Sequence, residues 1–79
     1  SDKENAWLHF DIMEETFINA EIFDMRGALV YKLIKDEKFY IGTYNVALPN
    51  VVLAEGAYTI RLKIGEQPFK LKWLLTKSK

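Results

Sequence analysis

Apolar and polar residues alternate along most of this chain. In "WLHFDIM" (7–13), Leu8, Phe10 and Ile12 fall on one side and Trp7, His9, Asp11 and Met13 on the other. "FINAEIF" (17–23) sets Ile18, Ala20 and Ile22 against Asn19 and Glu21. In "AYTIRLKI" (57–64), Tyr58, Ile60, Leu62 and Ile64 face away from Ala57, Thr59, Arg61 and Lys63. "FKLKWLLTK" (69–77) lines up Phe69, Leu71, Trp73 and Leu75 with Lys70 and Lys72 between them. A repeat of two is the period of a half-buried strand. "FYIGTYNVAL" (39–48) keeps Tyr40, Gly42, Tyr44, Val46 and Leu48 in line, and Gly42 within it marks a bulge or bend. "ALVYKLIK" (28–35) is apolar on both sides, which fits a central strand or one whose faces are swapped by a bulge. No stretch carries a helical period of useful length.

The segments between these runs read as turns. "DMRG" (24–27) has Asp first and Gly last, the composition of a type I turn closed by a left-handed glycine. "EET" (14–16) reads as a short connection, "KDEK" (35–38) as a charged hairpin tip and "GEQP" (65–68) as a turn. "PNVVLAEG" (49–56) reads as an ordered crossing loop with Leu53 tucked inward. Six to seven short strands with turn signals between them predict a small antiparallel β-sandwich over residues 1–79, without internal repeat, linker or low-complexity tract.

Composition narrows the class. The chain has 79 residues, 49% of them hydrophobic, which is room for one core and argues against disorder. It has no cysteine, so a disulfide framework and a thiolate metal site are both excluded. No apolar run approaches the roughly 20 residues needed to cross a bilayer as a helix. No signal peptide stands at Ser1, and the polar opening "SDKEN" predicts a module cut from a larger protein.

Eleven basic residues balance eleven acidic ones, so the basic excess of a nucleic-acid binder is missing. The charges are nonetheless segregated. Asp2, Glu4, Asp11, Glu14, Glu15, Glu21 and Asp24 face only Lys3 near the start. Arg61, Lys63, Lys70, Lys72, Lys77 and Lys79 face only Glu66 near the end. The simpler reading is cross-strand pairing of the two ends in an antiparallel sheet. The sharper one is a basic edge offered to a partner.

Candidate chemistry is sparse. His9 is the single histidine and has no companion at metal-ligand spacing. Glu14–Glu15 and Asp36–Glu37 are adjacent pairs, and adjacent residues on a strand point apart, so neither preassembles two carboxylates. "DMRG" is too short for a calcium loop, and no phosphate loop, nucleophile elbow or Ser/His/Asp set is present. These observations predict a non-enzymatic protein without cofactor or metal. Trp73 shares the parity of Phe69, Leu71 and Leu75 and is expected in the core. Trp7 and Phe23 fall on the outward parity of their strands. There they can stack on a carbohydrate or anchor a partner, or pack under a loop.

Taken together, "AEIFDMRGALVYKL", "GTYNVAL", "LAEGAYTIRLKIG" and "LKWLLTK" resemble, in order and spacing, the C-terminal sorting domains of the Bacteroidetes type IX secretion system. Immunoglobulin-like domains of the flagellar-hook-cap type, and small immunoglobulin-like Bacteroides proteins of unknown function, look similar. The resemblance covers most of residues 8–77. Asp24 and Gly27 match the family's turn, Gly56 and Tyr58 its Gly-x-Tyr, and Lys77 or Lys79 its basic residue near the end. The Asn-Pro-rich lead-in of the family is absent.

The resemblance implies an immunoglobulin-like sandwich at the C-terminus of an exported protein. It also implies that Gly56 ends the crossing loop in a conformation other residues resist, and that Tyr58 plugs the end of the sandwich with its hydroxyl on loop backbone. The function it implies is a sorting address. The outer-membrane secretion machinery would read it through Lys70, Lys72, Thr76, Lys77 and Lys79 as the protein passes from periplasm to cell surface. The competing class is an accessory module for carbohydrate binding or adhesion with Trp7 and Phe23 as contacts, or a spacer without ligand.

Overall fold

The structure, a computed structural model, describes residues 6–77. It is all-β: β1 (Trp7–Ile12), β2 (Thr16–Phe23), β3 (Leu29–Phe39), β4 (Gly42–Ala47), β5 (Gly56–Ile64) and β6 (Gln67–Leu75). β1 and β4 form one antiparallel sheet, and β3-β2-β5-β6 form the other in that order. Two antiparallel sheets packed on one core make a small β-sandwich. Its connectivity is immunoglobulin-like, with β1 and β4 in the places of strands B and E and β3, β2, β5 and β6 in those of C′, C, F and G.

The alternation read in the sequence places the core. Leu8, Phe10 and Ile12 of β1 descend onto Ile18, Ala20 and Ile22 of β2, Tyr58, Ile60 and Leu62 of β5, and Trp73 and Leu75 of β6. Ile34 and Leu48 complete it, and no polar or charged residue is buried among the described residues. Trp73 packs on Tyr58 with ring centroids 5.5 Å apart. Phe10, Phe39 and Tyr44 form an aromatic trio with centroids 4.8–5.8 Å apart.

Two expectations change and one pair of alternatives is resolved. "KDEK" is not a hairpin tip. β3 runs through it, because Asp36 takes a left-handed φ of 45° and the side chain of Asn19 accepts its N–H at 2.8 Å, so the strand bulges and continues. Of the two readings of "ALVYKLIK", the bulged one holds, since β3 is an edge strand with shifted register against β2. Finally, Phe69 and Leu71 share the inward parity of Trp73 and Leu75 but remain 44% and 39% exposed. Parity decides which way a side chain points, whereas cover depends on the facing sheet, and that sheet has only two strands.

The two edges of the large sheet are unlike. β3 is irregular, with its register shifted at several points along β2, which protects an edge. β6 pairs with β5 without a shift from Gly56↔Leu75 to Ile64↔Gln67. The β5–β6 hairpin turns on Gly65 and Glu66, with Gly65 at φ 61°, as a type II′ turn requires of its first residue.

Candidate functional site

The candidate residues group around β6 and the loops at one end of β5. The "DMRG" turn is built by its aspartate. Asp24 Oδ1 accepts from the N–H of Arg26 (2.9 Å) and of Ala28 (3.0 Å), and Oδ2 accepts from Arg26 Nη2 at 3.0 Å. The backbone closes with Gly27 N–H on Asp24 O at 3.0 Å, and Gly27 sits at φ 87°. The Ala28 N–H, and then the bonds from Arg26, hold the Asp24 carboxyl below the ordinary carboxylate range. Asp24 is therefore an ionised turn former with its acceptors engaged.

Tyr58 enters the core at the start of β5, and its hydroxyl donates to Ala54 O at 2.6 Å. This is the tyrosine corner of immunoglobulin-like sandwiches. Gly56 stands at φ 159°, an extended backbone with positive φ that L side chains rarely adopt, so the conformational demand implied for it by the resemblance is made. The Tyr58 ring lies over it, 3.8 Å from where a Cβ would be, an ordinary contact distance, so the backbone rather than crowding favours glycine there. The same arrangement recurs in the other sheet. There Tyr44 covers Gly42 and donates to Tyr40 O at 2.8 Å. The pair "GTY" and "GAY" is a short internal echo, three residues long rather than a structural unit.

Lys70 and Lys72 lie exposed on the outward face of β6. Opposite them on β5 stand Arg61 and Thr59. Among the described residues the ion pairs are Arg26–Asp24 at 3.0 Å and Lys38–Glu15 at 2.9 Å, and neither joins the acidic start to the basic end. Glu21 faces Arg61 in register but forms no ion pair with it. The Arg61 guanidinium lies instead 5.2 Å from the centroid of the Phe23 ring. The result is a basic face on the outside of β5 and β6. It borders a concavity of about 490 Å³ lined by Phe23, Met25, Thr59, Arg61, Lys70 and Lys72 among others. Arg61, absent from the candidate residues, joins them here, and counting back from the "GE" loop pairs it with Lys70.

On the other side of β6, a groove of about 320 Å³ separates it from β1. Leu8, Phe10, Leu62, Ile64, Phe69 and Leu71 line it, with His9, Asp11 and Lys70 also contributing. Thr76 and Lys77 follow the strand and are exposed, but the chain is held there, since Lys77 N–H donates to Glu55 Oε2 at 2.8 Å. Lys79 lies outside the described residues.

The aromatic candidates do not come together. Trp7 is 57% exposed on the outer face of β1, in the two-stranded sheet. Phe23 lies on the outer face of β2, in the four-stranded sheet, on the opposite side of the molecule. The two cannot contact one ligand as a single platform. His9 is engaged across β1 and β4, with Nδ1 2.7 Å from Asn45 Oδ1, and Thr43 donates to Asp11 at 2.9 Å beside it. Among the described residues no group of three or more His, Asp or Glu is placed to hold a metal ion, and no helix is long and apolar enough to cross a membrane. Comparison with protein-family models, with curated proteins and with solved structures found no match to this chain.

Proposed function

We propose that this domain is a non-enzymatic recognition module of an exported protein, and that its last strand is the part that is read. The observation that carries this reading is the state of β6. It is a regular edge strand of the larger sheet, with Lys70 and Lys72 exposed and, among the described residues, free of acidic partners. A free edge and an unneutralised basic row are the two features by which a folded domain presents itself to another protein. The resemblance to type IX sorting domains supports the outer-membrane translocon as that partner, with Thr76, Lys77 and Lys79 continuing the signal.

The test is a cargo fused to the domain in a type IX-competent host, followed by cell fractionation. Removing residues 76–79 leaves the strands in place and should abolish export, with circular dichroism reporting an intact sheet. Normal secretion of that cargo would remove the sorting reading.

The concavity beside Phe23 favours a second reading, adhesion through an acidic glycan. There Phe23, with the Arg61 guanidinium over its ring, and the two lysines would serve beside the engaged carboxylate of Asp24, and Trp7 would not. Binding of a uronate oligosaccharide that is lost in Phe23→Ala, with export unaffected by the tail deletion, would put this reading first.

A further inference from the structure

In an immunoglobulin sandwich, strand A lies beside strand B. Here β1 holds the B position, and among the described residues nothing pairs with its outer edge. Across the groove, β6 holds the G position and is likewise unpaired on one side. Between the two edges lies an apolar floor, to which Phe69 and Leu71 contribute while remaining 44% and 39% exposed. The groove therefore has the chemistry of a strand site, with apolar side chains below and, among the described residues, two unpaired backbones at its sides.

The backbone of β6 gives this site a register. A two-residue loop is closed by a hydrogen-bonded pair, Ile64 and Gln67 here, and hydrogen-bonded and non-hydrogen-bonded pairs alternate from there. Phe69, Leu71, Trp73 and Leu75 thus direct their N–H and C=O groups to β5. Lys70, Lys72 and Leu74 direct theirs to the open side, as does Pro68, which has no N–H to donate. An added strand would find its first complete donor–acceptor position at Lys70 and its second at Lys72, roughly 7 Å further on.

Building on the reading of β6 as the recognition strand, we infer that the groove receives an extended segment of a partner protein in which apolar and acidic residues alternate. The segment adds to the free edge of β6. Its apolar side chains enter the groove over Leu8, Phe10, Phe69 and Leu71, and its acidic side chains emerge beside Lys70 and Lys72. The charge of the partner follows from this geometry. Neighbouring side chains on one face of paired strands stand about 5 Å apart, where opposite charges attract and like charges repel. Among the described residues neither lysine has an acidic partner.

The same argument disfavours one other occupant. A second copy joined edge to edge through β6 would bring two lysine rows together.

The experiment uses three capped nine-residue peptides: one alternating valine with glutamate, one alternating valine with lysine, and the valine–glutamate peptide with proline at its centre. Each is titrated into the isotopically labelled domain. The valine–glutamate peptide should bind saturably, with amide shifts centred on β1 and β6, and should slow hydrogen exchange at Lys70, Lys72 and Leu74 at least tenfold. The valine–lysine and proline peptides should bind at least tenfold more weakly. In Lys70→Glu/Lys72→Glu the order of the two charged peptides should reverse. Leu71→Asp, at a partly exposed position, should weaken binding at least tenfold with the domain still folded.

Equal binding of the two charged peptides would overturn the inference. So would shifts confined to the concavity beside Phe23, or a β6-paired dimer in sedimentation without peptide. If no peptide binds but export of a fused cargo is lost in the charge-reversed domain, strand addition falls while β6 remains the recognition strand.

Discussion

The hydroxyls of Tyr58 and Tyr44 lie 2.6 and 2.8 Å from the carbonyls of Ala54 and Tyr40, each four residues upstream. Each bond pins the entry of a strand to the loop that precedes it. Tyr58 is buried and Tyr44 only partly so. Tyr58→Phe should therefore cost about 1 kcal/mol, and Tyr44→Phe less, in urea unfolding. The glycines also separate by physical role. Gly65 combines φ 61° with Thr16 Oγ1 2.8 Å from the position of a Cβ, so Gly65→Ala meets both backbone strain and a close contact. Gly27 at φ 87° has open space around it, so Gly27→Ala meets backbone strain alone and should cost about 1 kcal/mol. Gly56 at φ 159° has only an ordinary contact with the Tyr58 ring, so Gly56→Ala likewise meets backbone strain without a close contact. A thermal-melt ranking with Gly65→Ala as the least damaging of the three would contradict this division. Asp24 adds a pH signature. Its folded-state pKa lies below the ordinary value, so its stabilising effect is complete above the ordinary carboxylate range and is lost as pH falls through the folded value. Asp24→Asn should remove that part of the acid dependence, read as the difference between the two proteins' unfolding midpoints at neutral and acid pH.

At the scale of the element, strands β1, β2, β5 and β6 were legible, because each alternates cleanly and one face of each meets the core. The "DMRG" loop was legible because aspartate and glycine each have one physical job in it. The middle of β3 was not. Four charged residues in a row read as a solvated tip, and the contact that lets the strand continue, Asn19 Oδ1 with the N–H of Asp36, joins residues 17 apart. Asn19→Ala should release that bulge at a cost of about 1 kcal/mol, with enhanced hydrogen exchange confined to residues near Asp36. Loss of the whole β2–β3 pairing would show that the bond does more than hold the bulge. The candidate site was half legible. Lys70 and Lys72 announced themselves by alternation with apolar neighbours. The groove beneath them did not, because pattern gives the direction of Phe69 and Leu71 and says nothing of how many strands lie opposite.

At the scale of the molecule, two strands cover four. β1 and β4 lie over the middle of the larger sheet, where β2 and β5 supply Ile18, Ile22, Ile60 and Leu62 to the core. The edges are left to themselves. β3 is bulged, and β6 stays straight and basic. Trp73 and Leu75 tie β6 to the core, so removal of residues 69–79 should unfold the domain, because each of these two contributes roughly 2 kcal/mol or more. Loss of the outward lysines has no such consequence, since Lys70 and Lys72 are exposed and a glutamate at position 70 would face Arg61 across the pair. Charge reversal at these two positions thus separates recognition from stability. Export of a cargo fused to the Lys70→Glu/Lys72→Glu domain, with folding followed through Trp73 fluorescence, should fall to background while the unfolding midpoint stays within a few degrees of the parent. Undiminished export from a folded, charge-reversed domain would contradict the reading of β6 as the strand by which this protein is recognised.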